Sequence, residues 1–237
     1  MGVMAANVVH RHALPTRLWH WINAVAIVVL IGSGLGISNA HPRLYWGRYG
    51  ATFDHAWWQL PRFPAWLTIP AGYNLAISRR WHLFFALVLA FGLLAYMIAS
   101  LLNRHFQRDL RLRRRDLTRA HLAADWRAHL ALRFHDPEDP RAYNAFQKIS
   151  YVLVVFLALP LVILTGLALS PAMAAAWPWL LDLFGGRQSA RSLHFLAMIA
   201  IAAFTIVHLA LVILAGAWNE VRSMLTGRWT VPEGTAE

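Results

Sequence analysis

The stretch from Arg191 to Trp218 reads RSLHFLAMIAIAAFTIVHLALVILAGAW and carries no formal charge after its first residue. A run of this length and apolarity is a membrane-span signature. It also holds two histidines, His194 and His208, 14 positions apart. At 100° per residue they fall about 40° apart around a helix and roughly 21 Å apart along it. One helix face therefore offers an imidazole near each side of a hydrocarbon layer. Ionisable groups in such places are functional candidates, and the spacing points to two stacked cofactor sites.

Composition agrees with a polytopic membrane protein. Of 237 residues, 58% are hydrophobic and only 14% charged, too apolar a balance for a soluble domain of this size. Trp19, Trp21, Trp81, Trp177, Trp179 and Trp218 sit near the ends of apolar runs, where amphipathic rings favour the interface. The net charge of +11 comes from 22 basic residues, half of them in one loop. That pattern suits a membrane surface and argues against nucleic acid as a partner. The chain has no cysteine, which excludes disulfides, thiolate-held iron–sulfur clusters and covalently attached haem. A redox metal would have to be held mainly by histidine.

Read in order, the sequence predicts an all-α, polytopic four-helix membrane bundle forming a single domain over 1–237, with spans at about 18–38, 81–102, 149–169 and 192–217. His20 lies one turn inside the first span, whose Gly32, Gly34 and Gly36 form a small-residue stripe allowing close approach of a helix or a flat ring. The Ser38-Asn39-Ala40 tripeptide after a basic start also resembles a signal-peptide cleavage site, but the run is long for such a segment. The connection 39–80 is rich in aromatics and prolines, with Trp57–Ile69 expected along the interface and His41 and His55 as loop histidines. His82 opens the second span, directly after Arg79 and Arg80. A basic loop, 103–148, carries eleven Lys/Arg against six Asp/Glu; within it Asp116–Phe134 reads as a basic amphipathic helix. Pro160 predicts a kink in the third span and Pro171 its end, with Ala172–Phe184 laid in the interface.

Four spans place both termini and the 103–148 loop on one side. That side holds 15 Lys/Arg against 7 on the other, so it is expected to be cytoplasmic. Depth then pairs His20 with His208 towards the cytoplasm and His82 with His194 on the opposite side. Two bis-imidazole sites suit two b-type haems better than zinc, which would want further protein ligands. A hydrogen bond from each histidine to a neighbouring carbonyl is the plainer alternative.

The segment His12-Ala-Leu-Pro-Thr-Arg-Leu-Trp-His20-Trp, the later Gly-Ser-Gly-Leu-Gly, Tyr143-Asn144-Ala-Phe-Gln147-Lys148, Gly166, His194 and His208 resemble the bacterial cytochrome b561-like superfamily. That superfamily includes the membrane cytochrome b subunits of formate dehydrogenases, nickel-iron hydrogenases and thiosulfate reductases. Gly-Gly-Arg-Gln-Ser-Ala-Arg before the fourth span and Asn219-Glu-Val-Arg-Ser-Met-Leu-Thr-Gly after it look most like the thiosulfate reductase branch, whose partners include molybdopterin oxidoreductases. The resemblance implies two haems on His20, His82, His194 and His208, and a quinone site beside the cytoplasmic-side haem at Asn144 and Gln147. The 39–80 connection is longer than in formate dehydrogenase subunits, so no docking surface carries over.

The expected function is electron transfer in the bacterial inner membrane, between a periplasmic oxidoreductase subunit and quinone. Arg17 on one side and Arg79, Arg80, Arg187 or Arg191 on the other are placed to pair haem propionates, and serve equally well as interface anchors. Two other readings stand beside this one. A stand-alone haem oxidoreductase, such as a superoxide:quinone oxidoreductase, would need an exposed outer haem. A non-haem transporter or assembly protein would need no depth-matched histidines.

Overall fold

The computed structural model describes residues 8–51, 53–103, 118–130 and 145–231. The described chain is mostly helical, and four segments are long and apolar enough to cross a membrane: Leu14–Ala40, Leu75–Leu102, Ala145–Leu169 and Arg187–Leu214. They are the helices α1 (Leu14–Ala40), α2 (Leu75–Leu102), α4 with α5 (Ala145–Val152 and Leu159–Leu169) and α8 (Arg187–Leu214). Between α2 and α4 lies α3, Arg119–Leu130. It falls inside the amphipathic helix expected over Asp116–Phe134; of the rest of that stretch Thr118 is described, and 116–117 and 131–134 lie outside the described residues.

All four expected spans are present, and each begins earlier than hydropathy indicates. A helix of 28 residues is about 42 Å long, more than the roughly 30 Å of hydrocarbon. Its first turns can thus carry polar residues beyond the apolar layer. In α2 the helix starts at Leu75, where Asn74 Oδ1 accepts the N–H of Ile77 at 3.1 Å as an N-terminal cap, and it runs through Arg79 and Arg80. The last span stops at Leu214, not 217, because Gly216 adopts φ +100°, a left-handed conformation that ends helices. A further polar helix, α9 (Ala217–Thr226), follows.

The third span is where the backbone departs most from regularity. Leu153–Ala158 forms a π-helical stretch between α4 and α5, and Pro160 lies at the start of α5. Proline has no N–H and its ring crowds the carbonyl four residues earlier, so the wider turn absorbs the mismatch. After α5, Ala172–Phe184 folds as two one-turn helices, α6 (Pro171–Ala176) and α7 (Pro178–Leu183), each opened by a proline at the position where a missing N–H costs nothing.

Contacts group the chain into two compact units, and each long helix contributes a stretch to both. The first unit comprises the chain up to Trp21, Leu94–Val154 and Thr205 onward. Here β1 (Val8–His10) pairs antiparallel with β4 (Arg228–Thr230), tying the two ends of the chain together. Trp229 is fully buried in this clasp, its Nε1 donating to Glu220 Oε1 at 2.9 Å. Arg11 places its guanidinium over the Trp229 ring and pairs with Glu220. Trp21 Nε1 donates to the Met224 carbonyl at 3.1 Å. Trp19 stacks on Tyr96 with centroids 4.0 Å apart, and the Tyr96 and Tyr151 hydroxyls are hydrogen-bonded to each other.

The second unit comprises Ile22–Leu93 and Val155–Phe204. The α1 glycine stripe does mediate close approach: a Cβ on Gly32 would lie 2.6 Å from Ile69 Cγ1, and one on Gly36 would lie 2.5 Å from Ser78 Oγ. The connection between α1 and α2 is strapped to the start of α8. Its two short strands, β2 (Arg43–Leu44) and β3 (Trp58–Gln59), pair antiparallel, so Trp58 and Gln59 of the Trp57–Ile69 segment form one arm of a hairpin. Ser192 Oγ donates to the Tyr45 carbonyl at 2.7 Å and accepts from Trp57 Nε1 at 3.0 Å. Leu44, Leu60 and Phe195 form one buried cluster, and Ala168, Leu180 and Ala190 another. The opposite faces are apolar yet exposed: along α2, Leu83, Leu87, Phe91, Leu94 and Ile98 form one bare stripe, the surface a helix presents to lipid.

Candidate functional site: two pairs of facing histidines

In the second unit, α2 supplies His82 and α8 supplies His194. Their ring centroids are 6.0 Å apart with planes inclined by 65°. Each ring is held from behind by a hydroxyl. Ser33 Oγ of α1 lies 3.0 Å from His82 Nδ1, and Thr165 Oγ1 of α5 lies 3.0 Å from His194 Nδ1. Both hydroxyls already donate to the carbonyl one turn earlier, Ser33 to Val29 at 2.7 Å and Thr165 to Leu161 at 2.6 Å. A hydroxyl has one hydrogen to give, so its oxygen must accept from the Nδ1–H of the imidazole. The hydrogen-bond network thereby assigns the tautomer: Nδ1 protonated, and the Nε2 lone pair available to a metal.

A glycine follows each hydroxyl residue. A Cβ on Gly34 would approach His82 Cε1 to 3.5 Å, and one on Gly166 would approach His194 Cε1 to 3.3 Å. The unit therefore contains the same local device twice: hydroxyl, glycine, and a histidine from the next long helix.

In the first unit, α1 supplies His20 and α8 supplies His208. Their centroids are 6.2 Å apart with planes inclined by 62°, and Trp21 meets His20 edge-on at 5.2 Å. The back of His20 differs from that of His82, since its Nδ1 is buried without a hydrogen-bond partner. Among the described residues, no group of three or more His, Cys, Asp and Glu side chains is arranged to hold a metal.

These pairs suit a metal that brings most of its own ligands. In each unit two imidazoles from different helices face one another, with centroids 6.0 and 6.2 Å apart, and would hold such a metal through one ring nitrogen each. The donor set is two ring nitrogens in an apolar surround, and in the second unit Gly34 and Gly166 place no side chain against the rings. The residues present fit haem.

The arginines singled out in the sequence have identifiable contacts or exposure. Arg17 donates to the Leu225 carbonyl at 2.6 Å, and Arg187 to the Leu169 carbonyl at 2.9 Å. Arg191 donates to the carbonyls of His41, at 2.7 Å, and Arg43. Arg79 and Arg80 are exposed. Gln147 and Lys148 are half-buried in the first turn of α4, and Asn144 lies outside the described residues. His55 is exposed, as expected of a loop residue. His12 is pushed down to about 4 by burial, and then by the Arg11 charge, partly offset by Glu220. Sequence reasoning missed Ser33 and Thr165; the available signal was a hydroxyl residue followed by glycine deep inside an apolar run.

Four membrane-length apolar helices carrying two facing imidazole pairs define the class: a multi-pass membrane protein with paired-histidine sites. The sequence pattern of the prokaryotic cytochrome b561 family matches residues 11–227, and the chain belongs to that family. It is similar to a "Probable Ni/Fe-hydrogenase B-type cytochrome subunit" of Cupriavidus necator, 28% identical over 228 residues covering 90% of this chain and 83% of that protein. It is equally similar to a "Putative protein-methionine-sulfoxide reductase subunit YedZ1" of Azospira oryzae, 28% identical over 225 residues covering 89% of this chain and 94% of that protein. A Rhodobacter capsulatus protein with the same name as the first is 21% identical, over 85% of this chain and 72% of its own length. No solved structure matches the chain significantly.

Proposed function

We infer that the protein is a dihaem membrane cytochrome b that carries electrons between an oxidoreductase partner and the quinone pool. The observation that carries this reading is the presence of two histidine pairs at 6.0 and 6.2 Å, one in each unit. His82 and His194 hold one haem, His20 and His208 the other. Bound haem supplies one-electron chemistry that no side chain here can provide. The protein's part is to fix the imidazoles, keep the sites apolar, and present them to the reaction partners.

The names of the similar proteins, subunits of a hydrogenase and of a reductase, support an oxidoreductase partner. The basic side of the chain, with 15 Lys/Arg against 7, is assigned to the cytoplasm. The partner, of molybdopterin type by the sequence resemblance, then docks at the periplasmic face beside the His82–His194 site, and the membrane is the bacterial inner membrane. Quinone reacts near His20 and His208, where Asn144, Gln147 and Lys148 supply hydrogen-bonding groups for its carbonyl oxygens and a route for protons to water. Arg17 and Arg191, which donate to carbonyls, and the exposed Arg80 have side chains long enough to meet propionates.

Haem stoichiometry tests the reading. The purified chain should bind two haems, His194→Ala should lose one, and His208→Ala the other, each with its own spectrum. A stoichiometry near one in wild type, or a colourless protein, would sink it. Asn144→Leu should keep both haems and slow their oxidation by a quinone analogue; an unchanged rate would put the quinone elsewhere.

A further inference from the structure

We propose that Ser33 and Thr165 are positioning residues that make the two haem sites electrochemically unequal, holding the His82–His194 site at the lower potential. The inference rests on the two-haem reading above and adds an order of potentials to it.

Both histidines of the second unit donate Nδ1–H to an oxygen at 3.0 Å. Neither oxygen is casual. Ser33 and Thr165 are fully buried, and each is locked by its own donation to a helix carbonyl. A rotating hydroxyl could serve as donor or acceptor, but one whose hydrogen is committed to the preceding turn can only accept. Partial loss of the Nδ1 proton to that acceptor makes the Nε2 lone pair a stronger donor. Outer hydrogen bonds of this kind orient a ligating imidazole and raise its basicity, and a more basic ligand favours the oxidised metal, lowering the potential.

His20 shows the contrasting arrangement. Its Nδ1 is buried and meets no acceptor, so the ligand it offers is less basic than His82 or His194. The difference thus lies in residues that would not touch haem, and its sign follows from the two Nδ1 donations of the second unit set against the unpartnered Nδ1 of His20.

The test is a potentiometric titration of the full-length holoprotein in detergent, followed by its haem absorbance. Two midpoints are expected in wild type. In the double variant Ser33→Ala, Thr165→Val, the lower midpoint alone should move upward, by 59 mV for each tenfold change in the preference for oxidised over reduced metal. Thr165→Ser keeps the hydroxyl and should leave both midpoints in place. Loss of one haem in the double variant, with the second retained and Thr165→Ser normal, supports the same positioning role. Two bound haems with both midpoints unmoved in the double variant overturn it, as does movement of the higher midpoint. These failures leave the two-haem reading standing, whereas wild-type protein with fewer than two haems removes that reading itself.

Discussion

Arg11 and Glu220, 209 positions apart in the chain, meet in an ion pair at 3.2 Å with side chains only 8% and 17% exposed. Glu220 also accepts the indole N–H of Trp229, so one carboxylate joins the residue that follows β1, α9 and the C-terminal strand. Removing one partner of a buried pair leaves the other charge unmatched, at about 3 kcal/mol. Glu220→Ala should therefore lower the unfolding temperature in detergent markedly, while Glu220→Gln, which keeps an acceptor for Trp229, should cost less. Equal melting of Glu220→Ala and wild type would show that the clasp contributes no stability.

The His12 imidazole, held down to about 4 from 6.5 mainly by burial, gives the fold a definite acid response. Between those values the unfolded chain binds the proton and the folded chain does not. Stability is therefore full above pH 6.5 and falls as pH drops towards 4, by about 2 kcal/mol after discounting for partial solvent access. Melting temperature against pH should slope across this window in wild type and be flatter in His12→Gln. Parallel curves would remove His12 as the cause.

Gly166 tests whether the space beside His194 matters. A Cβ there would stand 3.3 Å from the ring, already tight, and the branched side chain of Gly166→Val would push the imidazole away from His82. Haem content should fall from two to one, with helical circular dichroism unchanged. Gly92, where a Cβ would meet nothing within 4 Å, is the control: Gly92→Val should keep both haems.

The orientation of the chain rests on its basic asymmetry. A reporter joined after Arg119 should be active only if it works in the cytoplasm, and one joined after Phe184 only if it works in the periplasm. The reverse pattern would exchange the sides of the two sites.

Much of the site was legible before any coordinates. His194 and His208 fall on one face of one apolar run, and the depth of His20 and His82 in theirs chose the partners; both pairings agree with the facing rings. The tight backing of the histidines was not legible. Ser33 is 49 positions from His82 whereas Thr165 is 29 from His194, so no fixed spacing marks the repeat. Likewise Arg191 looked like a propionate partner or an anchor, and only the folded connection brings the carbonyls of His41 and Arg43 to it.

Sequence alone determined the number and type of the spans, because a membrane-length run of apolar residues must satisfy its backbone internally and the helix does so locally. It also determined which histidines share a depth, since helical rise is fixed by geometry. The tertiary structure decided what stands behind each imidazole, which hydrogen each hydroxyl has already given away, and how the chain ends meet across Arg11, Glu220 and Trp229. Those contacts join residues from different helices, and their partners are selected by packing and rotation of whole elements, which no local pattern encodes.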